Sequence, residues 1–127
     1  MGLHTRDLVL IGVGGALGSM LRYLVGRVMA PHTGFAFPWQ TFVVNATGAF
    51  AIGLLIVLAA KGGWPGWWRP FIAVGILGGY TTFSTFSLEV VELTLKGSGG
   101  LAAAYAAGSV AAGVVGCAAG VFLGRAL

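Results

Sequence analysis

An all-α membrane protein with four transmembrane helices is the fold this sequence predicts, and three observations predict it. Only 8% of the residues are charged while 57% are hydrophobic. Four apolar stretches stand apart, separated by turn residues. Tryptophans collect at the ends of those stretches. A soluble chain of 127 residues needs far more charge to cover its surface. The apolar excess therefore has to face lipid.

The spans follow in order. The first runs over about 7–29 and the second over about 39–60, opened by Pro38 and closed by Lys61-Gly62-Gly63. The third covers about 68–95 and the fourth about 101–124. At 1.5 Å per residue each crosses roughly 30 Å of hydrocarbon. The connectors Pro31-His32-Thr33-Gly34, Lys61-Gly62-Gly63-Trp64-Pro65-Gly66 and Gly97-Ser98-Gly99-Gly100 carry turn chemistry. Trp39, Trp64, Trp67 and Trp68 sit at span ends, as an interfacial belt requires. The chain has room for one domain, 1–127, with no separate soluble part. The N-terminal stretch has some features of a secretory signal. Pro31 just after the apparent cleavage site, and Arg22 and Arg27 before it, favour a retained helix.

Glycine contributes 23 residues, many inside the apolar runs. Small residues recur every four positions: Gly14 and Gly18; Asn45, Ala49 and Gly53; Gly108, Ala112, Gly116, Gly120 and Gly124. Such ridges let helix backbones approach closely and by themselves specify no function. The net charge of +4 comes from cations scattered along the chain, without a basic run, which argues against nucleic acid as a partner. The lone Cys117 excludes an internal disulfide and a cysteine-based metal cluster.

Orientation is nearly unbiased. Arg6, Lys61, Arg69 and Arg125 fall on one side, and Arg22, Arg27 and Lys96 on the other, four against three. The positive-inside rule then barely chooses. Either a weak bias is resolved by local detail, or the topology is dual, with the chain inserted both ways and pairing as an antiparallel homodimer through a self-complementary face; the near balance and small size favour the second.

Polar residues inside the spans mark where function can lie. Arg22 either snorkels to the nearby interface or stands in an aqueous vestibule that attracts anions. Asn45 is either interhelical glue or a donor to a passing anion. The third span carries Gly78-Gly79-Tyr80-Thr81-Thr82-Phe83-Ser84-Thr85-Phe86. Paired glycines followed by paired threonines make poor helix, which predicts a third helix broken at mid-membrane. Carbonyls freed there can coordinate a hard cation. Phe83 and Phe86 share a helix face, and Glu89 continues it towards the interface. Two phenylalanines at that spacing ordinarily mean core or lipid contact. Polar neighbours change this reading, because a phenyl edge is positive and can face an anion. No acid lies deep in a span, and no nucleophile–base pair or phosphate loop is present, so nothing points to an enzyme.

These segments resemble the Fluc (CrcB) family of fluoride channels. The resemblance is carried by Gly14-Gly15-Ala16-Leu17-Gly18 with Arg22-Tyr23, by Thr41-Phe42-Val43-Val44-Asn45-Ala46-Thr47-Gly48-Ala49-Phe50, and most specifically by Gly78 to Phe86. It implies passive fluoride efflux through an antiparallel dual-topology homodimer with two pathways, multi-pass in the plasma or inner cell membrane. Phe83 and Phe86 then line the pathway, with Asn45, Ser84 and Thr85 as polar contacts, Tyr105 beside the rings and Arg22 as the vestibule cation. The Gly78 and Thr81 carbonyls match a structural sodium site that is not transported. The chain departs from the family at Ala49, where serine or cysteine is common. A small multidrug-type four-helix antiporter is the alternative. It requires a carboxylate inside the first span, where this chain has Arg22.

Overall fold

The computed structural model describes residues 2–32 and 36–127. The expected turn residues Thr33 and Gly34 lie outside the described residues. The architecture is all-helical, and four helical stretches are long and apolar enough to cross a membrane: Thr5–His32, Trp39–Gly62, Arg69–Leu95 and Gly99–Ala126.

Helix α1 (Thr5–Met29) runs into a 3₁₀ turn at Ala30–His32, where Pro31 offers no N–H to continue the ladder. Helix α2 (Trp39–Gly62) begins after Pro38 and stops at Gly63. Gly63 takes the left-handed φ of 59° and donates its N–H to the Ala59 carbonyl, a helix stop in which glycine avoids the Cβ penalty. A second left-handed glycine, Gly97 at φ 83°, turns the chain between the last two helices.

The third span is built from three pieces. Residues Arg69–Leu77 wind as a π-helix, and the Gly78 N–H reaches back five residues to the Ala73 carbonyl. Helix α3 (Gly78–Tyr80) adds less than one turn. Thr81 (φ −84°, ψ 158°) and Thr82 (φ −149°, ψ 122°) are extended. Helix α4 (Phe83–Leu95) restarts with Thr82 as its N-cap, the Thr82 hydroxyl accepting the Thr85 N–H at 3.2 Å. Helix α5 (Gly99–Ala126) completes the bundle.

Packing divides into two seams. Helix α1 lies along the π-helical segment and α3, while α2 lies along α5, which also receives α4. Both seams are glycine contacts. A Cβ at Gly18 would strike the Ile76 carbonyl and Tyr80 N, and one at Gly14 would strike the Phe71 carbonyl. Across the other seam, Gly53 faces the Cys117 carbonyl and Gly120 faces the Phe50 carbonyl. Backbones thus meet directly, and van der Waals contact replaces large side chains. The ridge on α5 is used only in part within the chain. Gly116, Gly120 and Gly124 press on α2, whereas Gly108 meets nothing.

Few large side chains are buried; Val44, Trp68 and Tyr105 are the main ones. Leu8, Val13, Leu24, Val74, Val110, Val114 and Phe122 are all more than half exposed. That apolar surface suits lipid or another transmembrane helix rather than water. Trp64 stacks edge-on to Trp68 at 5.7 Å, and Trp67 packs by Phe71, so three of the four tryptophans gather where α2 gives way to the third span, and Trp39 stands at the start of α2.

Candidate ion pathway

Thr81 still donates its N–H to the Leu77 carbonyl at 3.0 Å, but the extended Thr82 leaves the helical ladder, so its backbone groups need partners from elsewhere. Asn45 on α2 supplies two of them. Its Oδ1 accepts the Thr82 N–H at 2.8 Å, and its Nδ2 donates to the Thr82 carbonyl at 2.9 Å. One amide proton of Asn45 is left over for another acceptor. Arg22 on α1 acts from the other side, donating Nε to the Gly79 carbonyl at 3.1 Å. The Thr81 hydroxyl turns back to the Leu77 carbonyl at 2.9 Å. Thr47 donates to the Val43 carbonyl at 2.6 Å and so accepts from the Tyr80 hydroxyl, 2.9 Å away.

Cavities open on either side of this clamp. One, of about 370 Å³, lies between α1, α2 and the start of α4; Arg22, Arg27, Gln40, Thr41, Thr82 and Thr85 line it. Another, of about 340 Å³, is walled by Asn45, Thr82, Phe83, Phe86 and Ser109. Thr82 borders both. A further opening of about 330 Å³ is shared by Asn45, Ala49, Gly78 and Thr81.

The sequence-predicted residues are distributed accordingly. Phe83, Phe86 and Asn45 meet in one cavity, while Arg22 and Thr85 line the other. Ser84 joins neither lining; it is exposed, its hydroxyl 3.4 Å from that of Thr82. Tyr105 is fully buried behind the rings. The Phe83 and Phe86 centroids are 5.7 Å apart, and Phe86 meets Tyr105 edge-on at 5.2 Å. Phe37 closes the far side of Tyr105, also edge-on at 5.2 Å. Phe83 is 78% exposed in the single chain, so its ring is not consumed by internal packing.

Two further residues join the site. Glu89, which continues the phenylalanine face of α4, is held by two hydroxyls: Thr41 Oγ1 donates to its Oε1 at 2.5 Å and the Tyr105 hydroxyl to its Oε2 at 3.1 Å. Ser109 Oγ is buried without a hydrogen-bond partner, and it faces the phenylalanine cavity. A buried hydroxyl of this kind asks for an acceptor from outside the chain. Its signal was its position four residues after Tyr105, on the same helix face.

The arrangement brings two phenyl rings, an amide and the hydroxyl-bearing Thr82 and Ser109 to one opening within an apolar bundle. Comparison with known proteins gives this geometry its context. Residues 9–121 match the family described as CrcB-like protein, Camphor Resistance (CrcB). The chain belongs to the CrcB family. A fluoride-specific ion channel of Thermus thermophilus is 46% identical over 119 residues, which cover 94% of this chain and 95% of that protein. One from Rhizobium meliloti is 46% identical over 124 residues, covering 96% and 98%. A third, from Rhodopseudomonas palustris, is 45% identical over 120 residues, covering 94% and 97%. CrcB proteins are ion channels, not enzymes.

Proposed function

We propose that this chain forms a fluoride-specific channel that lets fluoride leave the cytoplasm passively. The observation that carries the reading is the cavity in which Phe83, Phe86 and Asn45 meet the unpaired hydroxyl of Ser109. A small anion entering it exchanges water for phenyl edges, an amide proton and a hydroxyl proton. None of these carries a full positive charge, so the ion is held weakly enough to leave. Fluoride that enters a cell as neutral HF and dissociates there would escape by this route.

In the same proposal the channel is an antiparallel, dual-topology homodimer in the cell membrane, with the third span broken at mid-membrane. Near-balanced positive charge and the open small-residue face at Gly108 support it. Gly78 and Thr81 fit a structural sodium ion. They line one opening together with Asn45, and their backbone oxygens would be its donors to such an ion. Hard carbonyl oxygens suit sodium, which would neutralise the carbonyl dipoles gathered at the break. Thr85 acts from the neighbouring cavity, and Ser84 through its contact with the Thr82 hydroxyl.

The antiporter reading is weaker, because Asp7, the acid of the first span, lies near its start and pairs with Arg6 at 3.1 Å. Efflux from reconstituted liposomes decides between the two. Fluoride is expected to leave loaded vesicles without a proton gradient while chloride stays behind. Proton-driven movement of organic cations, with fluoride retained, would reject the channel.

A further inference from the structure

The cavity between α1 and α2 holds a second arginine with no task assigned so far. Arg27 follows Arg22 by five residues on α1, and both line that cavity with Gln40, Thr41 and Thr85. The two cations are not equivalent. Arg22 commits Nε to the Gly79 carbonyl at 3.1 Å and so belongs partly to the backbone clamp. Arg27 is exposed and makes no hydrogen bond or ion pair among the described residues. No carboxylate is among the residues lining the cavity. Glu89, bonded to the lining residue Thr41, already holds two hydroxyl donors.

An unpaired guanidinium lining a cavity that no lining carboxylate neutralises raises the local concentration of anions. The charge is solvated, and the neighbours are an amide and hydroxyls, so the ion it gathers keeps most of its water. We infer that Arg27 is a capture residue: it draws a small hydrated anion into this cavity and holds it weakly before the ion reaches Thr82 and the phenylalanines. The inference rests on the fluoride-channel reading and deepens it by separating capture at Arg27 from dehydration further in. A bland alternative exists, since a cation in the last turn of α1 also complements the helix dipole. That role affects helix stability and does not predict a change in the fluoride concentration that half-saturates the channel.

The test uses the full chain reconstituted in planar bilayers. Fluoride current is measured against fluoride concentration for the parent, Arg27→Gln and Arg27→Lys. Two ionic strengths are set with gluconate: about 0.01 M, where the Debye length is about 30 Å, and about 1 M, where it is about 3 Å. At low ionic strength Arg27→Gln should raise the half-saturating fluoride concentration about two- to tenfold and leave the maximal current unchanged. Arg27→Lys should restore most of the loss, and at high ionic strength all three proteins should coincide. Coincidence at both ionic strengths overturns the inference. So does a drop in maximal current that salt does not alter and lysine does not rescue. A parent that passes no fluoride overturns the channel reading itself, and the parent trace alone reports on that.

Discussion

Phe83→Ile and Phe86→Ile are each expected to abolish fluoride flux while the folded bundle is kept. Isoleucine is apolar and β-branched, so it fills much of the ring's space in the cavity wall. It cannot supply what the ring edge supplies, which is a fixed band of positive electrostatic potential facing the opening. An anion that has lost water then meets only methyl groups. The Phe83 ring is largely exposed in the chain, so its replacement removes little internal packing. Phe86 touches both Phe83 and Tyr105, so its loss also frees the Tyr105 ring on one side. Flux is expected to fall at least about 100-fold for each, equivalent to about 2.7 kcal/mol on the barrier. Liposome efflux measures the loss, and size-exclusion chromatography in detergent checks that the protein is intact. Undiminished flux in both variants removes the rings from the pathway.

Asn45→Asp attacks the clamp and the pathway together. In the parent, Asn45 gives Nδ2 to the Thr82 carbonyl and takes the Thr82 N–H, and its amide also borders the phenylalanine cavity. Aspartate still accepts from the Thr82 N–H. It has no proton for the carbonyl, and in its ionised form it sets a negative charge against that oxygen and against any entering anion. A like charge at about 6 Å in surroundings of effective dielectric near 20 costs about 2.8 kcal/mol. Fluoride flux is therefore expected to drop about 100-fold in the same efflux assay. Asn45→Asp flux equal to the parent's would show that no anion passes near this side chain.

Local composition made the coarse fold legible. Charge is scarce within the apolar stretches, and Pro38, Gly63 and Gly97 punctuate them, so the four spans are found within a few residues of their observed ends. Glycine spacing announced close helix contacts but not their partners. Gly14 and Gly18 turn to the third span, whereas Gly120 and Gly124 turn to α2. The π winding of Arg69–Leu77 has no local signature strong enough to read. It accompanies the close approach of Gly75 to Gly14, a contact between distant parts of the chain.

Candidate residue types at the site were visible because polar groups in apolar spans stand out. Their partners were not, because each is far away in sequence. Asn45 and Thr82 are 37 residues apart, as Thr41 and Glu89 are 48. Glu89 lies towards the end of the third span, and the two hydroxyl donors that hold its carboxylate, Thr41 and Tyr105, come from other helices. Ser109 lies among many small residues on α5, and little in its sequence neighbourhood singles it out. Only the packed structure shows its hydroxyl buried without a partner beside the rings.

The central claim is that the opening beside Phe83, Phe86 and Asn45 conducts fluoride and rejects other halides. Reversal potential in a planar bilayer tests it most directly, with a fluoride gradient across the membrane and equal chloride on both sides. The account predicts a shift of about 59 mV for each tenfold change in the fluoride gradient, with no response when chloride is varied instead. A reversal potential that follows chloride, or that ignores fluoride, would contradict it.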